Sequence, residues 1–384
     1  MLGILLGCAT QQSPASPRVP TDDSEVLERL PRVSTLFASR GKAAVARSPD
    51  PLSAAIEARR WLELNRAESD PRYLGRAQAL LSPWWHQTDP PIEIRLLRAT
   101  VRQSLHDFQG AITDLNAVLR VDPSNAQAWL TKSSIHTLRG EWAEACEAVV
   151  PLTRLTSRLV SATAAASVLS VRGQETEACG LVRNALRENP TAPGSVRLWA
   201  LTLLGEVDTW MDRDTEAELH FKQAMELGLR DGYLLATYSD FLLGQRRFEQ
   251  AAKLVEPETR SDNLLLRLAL AESNLNPSPP MFQEHVRILG ERFATARARG
   301  EAIHQREEAR YQLELLHKPA RALELARENW RIQKEPADTK ILLESALAVQ
   351  DAATVEQVRD WMNTSRLEDR RILRLLESRR PASR

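Results

Sequence analysis

An alanine returns at a nearly constant interval through much of the chain. Ala77, Ala111, Ala145, Ala178, Ala217 and Ala251 are separated by 34, 34, 33, 39 and 34 residues. Other positions recur in step with it. Phe108, Trp142 and Phe248 each stand three residues before their alanine, and Gly140 and Gly173 five before. Asp122-Pro123 and Pro190 fall where a helix following the alanine should stop. A fixed period of this length marks stacked supersecondary units, each hiding its apolar face against the next, so the 384 residues read as an array and not as two or three globules. Only 15 glycines, amid abundant Leu, Ala, Glu and Arg, make those units helical.

The best copies show the unit directly. Trp129 opens a helix, Gly140-Glu141-Trp142 makes a turn, and Ala145 starts a second helix. Further on, Leu201, Leu204 and Gly205 lead to Ala217, Phe221 and Ala224. The small alanine lets the second helix approach the first closely, and an aromatic one turn later fills the groove beside it. This pattern resembles the tetratricopeptide repeat (TPR). With Pro83-Trp84-Trp85 and the segment from Gln333 to Asp338, it is similar to a group of bacterial TPR proteins. The resemblance covers about residues 50 to 362. It implies an all-α, right-handed superhelical solenoid of about eight helix pairs, and a scaffold between proteins in place of a reaction.

In that family the first helices of successive repeats line a concave groove. Transferred to this chain, the groove positions are Trp199, Thr202, Glu206, Thr209 and Trp210, then Tyr233, Ala236, Asp240, Leu243 and Gly244. The preceding copy adds Gln127, Leu130, Ser134, Thr137 and Leu138. Trp199, Glu206, Trp210, Tyr233, Asp240, Gln127 and Ser134 are therefore the candidates for holding a partner. Aromatics supply contact area and acids orient a positive or amide-bearing group. A second reading places Trp199 and Trp210 between repeats as packing residues, since five extra residues around Pro193-Gly194 can shift the register.

Several positions depart from the pattern. Arg98 stands where a small residue is usual, which puts close packing there in question, and Lys132 and His136 replace apolar residues. Beyond residue 258 the repeats degrade while helical periodicity persists. Pairs are expected around 264–298, 301–332 and 338–362, with Ala322 back in phase and a polar-faced capping helix over 367–378. The expected organisation is thus a truncated signal at 1–8, a flexible tether at 9–22, initial helices and repeats at 23–258, and degenerate pairs with a cap at 259–384.

The chain opens with a short apolar run ending Leu5-Leu6-Gly7-Cys8, followed by a Pro/Ser/Gln-rich stretch. The run is far below the ~20 residues needed to cross a bilayer. It resembles the lipobox of bacterial lipoproteins, with Leu6 where a smaller residue is commoner. The resemblance implies a multiply acylated Cys8, and Ala9 after it favours the periplasmic face of the outer membrane; the alternative is a cytoplasmic protein with an incidentally apolar start. The polar stretch that follows reads as a tether.

No pattern specifies chemistry. The 51 Lys and Arg are balanced by 51 Asp and Glu, which argues against a counterion-releasing grip on nucleic acid. Seven histidines show no metal-ligand spacing, and no phosphate-cradling or nucleophile-elbow motif occurs. Glu344-Ser345 matches the dipeptide of some lytic transglycosylases, but Glu272-Ser273 and Glu377-Ser378 repeat it and too few residues follow for their catalytic domain. Cys146 and Cys179 each follow a phase alanine. Neighbouring packed helices lie ~8–10 Å apart, too far for a disulfide, so both read as small apolar side chains. The expectation is a non-enzymatic adaptor without cofactor or metal that binds envelope proteins or peptides and meets the membrane through its lipid alone. A binding protein for a small ligand or cell-wall fragment is the alternative, and a cell-wall hydrolase comes last.

Overall fold

Local chemistry sets where the helices begin. Side chains of Asp50, Asp107, Asn125, Ser157, Asp231 and Asp351 each accept from backbone N–H groups in the first turn of the helix that follows. Glu335 and Asp338 form a reciprocal capping box ahead of another. The computed structural model describes residues 50–275, 279–300 and 305–377. Cys8, the tether, the initial segment up to residue 49 and the Arg-rich tail lie outside the described residues.

Among them the chain forms nine antiparallel helix pairs and no strand, where the sequence suggested about eight pairs. The pairs run Pro51–Glu68 with Arg72–Leu81, Ile92–Ser104 with Phe108–Val121, and Ala126–Arg139 with Trp142–Val149. Arg158–Leu169 with Glu175–Glu188, Gly194–Trp210 with Asp214–Glu226, and Gly232–Gly244 with Phe248–Val255 follow. Asp262–Leu275 with Pro280–Ala298, Gln305–Leu315 with Pro319–Ile332, and Pro336–Ala348 with Ala352–Ser365 complete the array before a last helix, Arg370–Glu377. This is an all-α, TPR-like solenoid. The turn Tyr311–Leu315 is a π-helix, and its Tyr311 hydroxyl donates to the carbonyl of Val286 at 3.0 Å.

The repeat phase explains the packing. All six phase alanines and Ala322 are buried. Gly205 and Phe221 illustrate the fit, because a Cβ on Gly205 would lie 2.6 Å from the Phe221 ring. Phe221 in turn stacks on Tyr238 of the next pair at 5.1 Å between centroids. The core continues through residue 258 without a break: Leu235 and Val255 share one cluster with Leu264 through Leu270.

Arg98 does not disturb the packing as expected. Its guanidinium is buried, donating to both carboxylate oxygens of Asp114 and to the carbonyls of Trp84, Trp85 and Gln87 at 2.7, 2.9 and 2.9 Å. The arginine thus satisfies the backbone of the Pro83-Trp84-Trp85 junction while tying the helices of the second pair together. His136 is likewise buried, with Nδ1 2.6 Å from Glu141 Oε2.

The helices close on themselves. The first pair meets the sixth, where a Cβ on Gly232 would lie 1.9 Å from Ser69 Oγ and where Arg66 faces Asp231 at 3.7 Å. At the other end the ninth pair and the last helix cross the turns of pairs three, four and five. Lys334 N–H donates to the Leu138 carbonyl at 2.7 Å, and Glu368 N–H donates to Glu175 Oε1 at 2.9 Å. Arg374 pairs with Asp212. Gly140 and Gly173, both in the left-handed region, admit this approach: added Cβ atoms would lie 2.3 Å from the Trp361 ring and 2.5 Å from the Arg366 carbonyl oxygen. The last helix, expected to be a polar-faced cap, buries Ile372 and Leu376 in the ninth pair's core.

Candidate functional site

Closure turns the inner face of the solenoid into a chamber of about 520 Å³. Its wall is built chiefly from the first helices of successive pairs. On Gly194–Trp210 the side chains of Trp199, Thr202, Glu206, Thr209 and Trp210 recur at helical spacing on one face, and all line the chamber. Gly232–Gly244 adds Tyr233, Ala236 and Asp240, and Ala126–Arg139 adds Leu130, Ser134 and Thr137. Six of the seven candidate residues therefore meet in one space. Gln127 does not: it is exposed elsewhere, and its Nε2 donates to Thr131 Oγ1 at 3.1 Å.

Trp199 and Trp210 are half-buried and line the chamber. Each also packs on a core cluster, Trp199 against that of Ala145, Leu152 and Val168, and Trp210 against that of Leu159, Val182 and Val207. Water reaches the chamber, since Tyr233 keeps 49% of its accessible surface.

The structure adds residues that no local motif signalled: Arg66, Arg267, Arg306, Lys334, Glu335 and Arg371. They come from the first, seventh, eighth and ninth pairs and the last helix, and reach the chamber only because the array closes. Most charges here are matched. Asp240 lies between Arg267 and Arg310, the latter at 2.9 Å. Burial alone would push the Asp240 carboxyl up, but the two guanidiniums outweigh it and hold the group far below the usual carboxylate range. Arg306 contacts Glu335 at 2.6 Å and Asp338 at 3.3 Å. Arg371 holds Asp369 at 2.6 Å.

Glu206 differs. Among the described residues its hydrogen-bond donor is the neutral Tyr233 hydroxyl, 2.7 Å from Oε1, and none of their cations stands within ion-pair distance. Burial pushes its carboxyl up to about 8, and the Tyr233 hydrogen bond offsets only part of the rise. Farther charges act both ways: Glu335 raises it and Arg371 and Arg306 lower it.

Several chemistry-bearing residues elsewhere are engaged in the fold. His285 Nδ1 lies 2.8 Å from Glu272, and His220 Nδ1 lies 2.9 Å from Asp208. Cys146 and Cys179 are free; burial pushes the Cys179 thiol up to about 12, and Arg172 Nη1 donates to Cys146 Sγ. Among the described residues no group of three His, Cys, Asp or Glu side chains is placed to hold a metal ion, and no helix is long and apolar enough to cross a membrane.

No protein-family model and no curated protein matches the chain. Among solved structures it is similar to the TPR domain of P58(IPK), at 12% identity and a TM-score of 0.21, over 77% of this chain and 99% of that one. The description as a TPR-like solenoid rests on the chain's own helix pairs and the phase of their buried alanines.

Proposed function

We propose that this chain is a non-enzymatic binding scaffold that receives a short segment of a protein partner in its inner chamber. The observation that carries the reading is the convergence of Trp199, Trp210, Tyr233, Glu206, Asp240 and Ser134 on one water-accessible space. Aromatic faces give contact area, and carboxylates give orientation. A volume of about 520 Å³ falls within the range of small-ligand sites, about 300–1,000 Å³. One turn of a helix about 10–12 Å across has a volume of the same order, so the segment is short: a loop tip, a chain end, a single helical turn or one or two long side chains. The same volume supports the second reading, a small ligand or cell-wall fragment.

The cellular setting belongs to the same proposal. The lipobox ending at Cys8 supports an acylated protein held to the bacterial envelope, and the residues after it leave room for the solenoid to stand off the bilayer. A photo-reactive residue at Tyr233 should crosslink a partner in intact cells, and the same residue at Gln127, outside the chamber, should not. Equal crosslinking from both positions, or crosslinking from Gln127 alone, would exclude the chamber as the contact.

A further inference from the structure

We infer that the chamber is built for an ammonium-bearing group, seated on the Glu206 carboxylate beside the faces of Trp210 and Tyr233; this deepens, and rests on, the chamber reading above. The argument begins from charge matching. Arg306 is engaged by Glu335 and Asp338, Arg371 by Asp369, and Asp240 by two guanidiniums. Asp231 caps its helix and faces Arg66. Among the described residues Glu206 is the chamber carboxyl with a neutral donor and no counter-cation. A half-buried carboxyl with only a neutral donor holds its proton more readily than an ordinary carboxylate, and an arriving cation favours its ionised form.

The surroundings favour the same chemistry. Trp210 follows Glu206 by one helical turn, which brings the two side chains to the same stretch of wall. The Tyr233 hydroxyl, already on Glu206, orients the carboxylate. The negative face of an aromatic ring attracts a cation, most strongly where water is sparse. The molecule already uses this pairing: the Lys334 ammonium lies 5.4 and 5.5 Å from the ring centres of Trp330 and Trp361. At the wall Arg267, Arg306 and Arg371 are engaged by carboxylates, and the Lys334 ammonium lies on indole rings, so phenylacetate is the probe that tests whether an anion can compete there.

The test uses three probes with one aromatic body and three charges: phenethylammonium, 2-phenylethanol and phenylacetate, titrated into the full chain by calorimetry and tryptophan fluorescence. Phenethylammonium should bind at least about tenfold more tightly than the alcohol, with phenylacetate weakest. Glu206→Gln should bring the ammonium down to the level of the alcohol and leave the alcohol unchanged. Ammonium affinity should also fall as pH drops below about 8, because the bound state requires ionised Glu206, while the alcohol shows no such slope. Gly-Gly-Lys-Gly-Gly compared with its norleucine counterpart identifies the source. Preference for the lysine peptide assigns the ammonium to a protein segment, and binding of the free amine alone assigns it to a small ligand; either upholds the site. Ammonium binding no better than the alcohol, or best binding by phenylacetate, would overturn the inference and leave the chamber reading standing. If none of the probes or peptides binds, the chamber reading falls and the inference with it.

Discussion

The indole of Trp361, near the end of the array, rests on that of Trp142 in the third pair, with ring centroids 5.5 Å apart. Gly140 lies beneath this contact, at a φ of 74° and with no room for a side chain. Closure of the solenoid therefore depends on a glycine and an aromatic more than two hundred residues apart.

Gly140→Ala should cost about 1–3 kcal/mol, from the left-handed backbone and the collision with Trp361 together. Trp361→Ala removes the obstacle as well as the ring contact. In the double variant the two losses should sum to less than the separate values, by more than about 0.5 kcal/mol. Thermal denaturation of the four proteins measures the coupling, and strict additivity would mean that the two positions do not touch.

The second pair offers a test of buried charge. Arg98→Met leaves Asp114 with Arg102 as its remaining cation, at 2.9 Å. Removing one partner of a buried pair costs about 3–5 kcal/mol, and the surviving Arg102 contact places this variant near the lower figure, about 3 kcal/mol. Denaturant unfolding checks it. A loss below about 1 kcal/mol would show Arg98 to be a surface-like pair.

Glu206 makes stability depend on pH with a definite sign. Its carboxyl titrates near the ordinary 4.5 when unfolded and about 8 when folded, so the folded state binds the extra proton between those values. Stability contributed by the neutral carboxyl is full below about 4.5 and is lost as pH rises through about 8. Glu206→Gln lacks that loss. The thermal midpoint of the variant should rise relative to wild type across this window and then level off. A difference independent of pH would contradict the raised value.

The proposed attachment to the membrane rests on Cys8, which lies outside the described residues. Cys8→Ser in the precursor should move the protein from the membrane to the soluble fraction, because acyl chains are the only anchor that the lipobox supplies. Fractionation with immunodetection decides, and undiminished membrane retention would sink the lipoprotein reading.

What the sequence revealed depended on range. The alanine phase, the turn glycines and the capping residues act within one repeat, so their spacing was readable along the chain. Arg98 was visibly out of place, but its role was not, since it depends on Asp114 sixteen residues on and on carbonyls of the preceding turn. Closure was hidden altogether. It accumulates from small rotations at every pair, and no motif records where Glu368 will meet Glu175. The inner face of Glu206 and Tyr233 was therefore legible, while Arg306, Glu335 and Arg371 opposite were not. Gln127 was carried into the site by its repeat position, but it lies where the inner wall no longer bounds the chamber.

The central claim, that the inner chamber holds the partner, is tested most directly by measuring capture and melting on one variant, Trp210→Ala. This indole both packs on the core and lines the chamber. The account predicts a stability loss of about 1–2 kcal/mol, below the about 3–5 kcal/mol of a fully buried tryptophan. It also predicts a roughly thirtyfold fall in partner capture, equivalent to about 2 kcal/mol of binding. Undiminished capture by a variant that still melts cooperatively would contradict it.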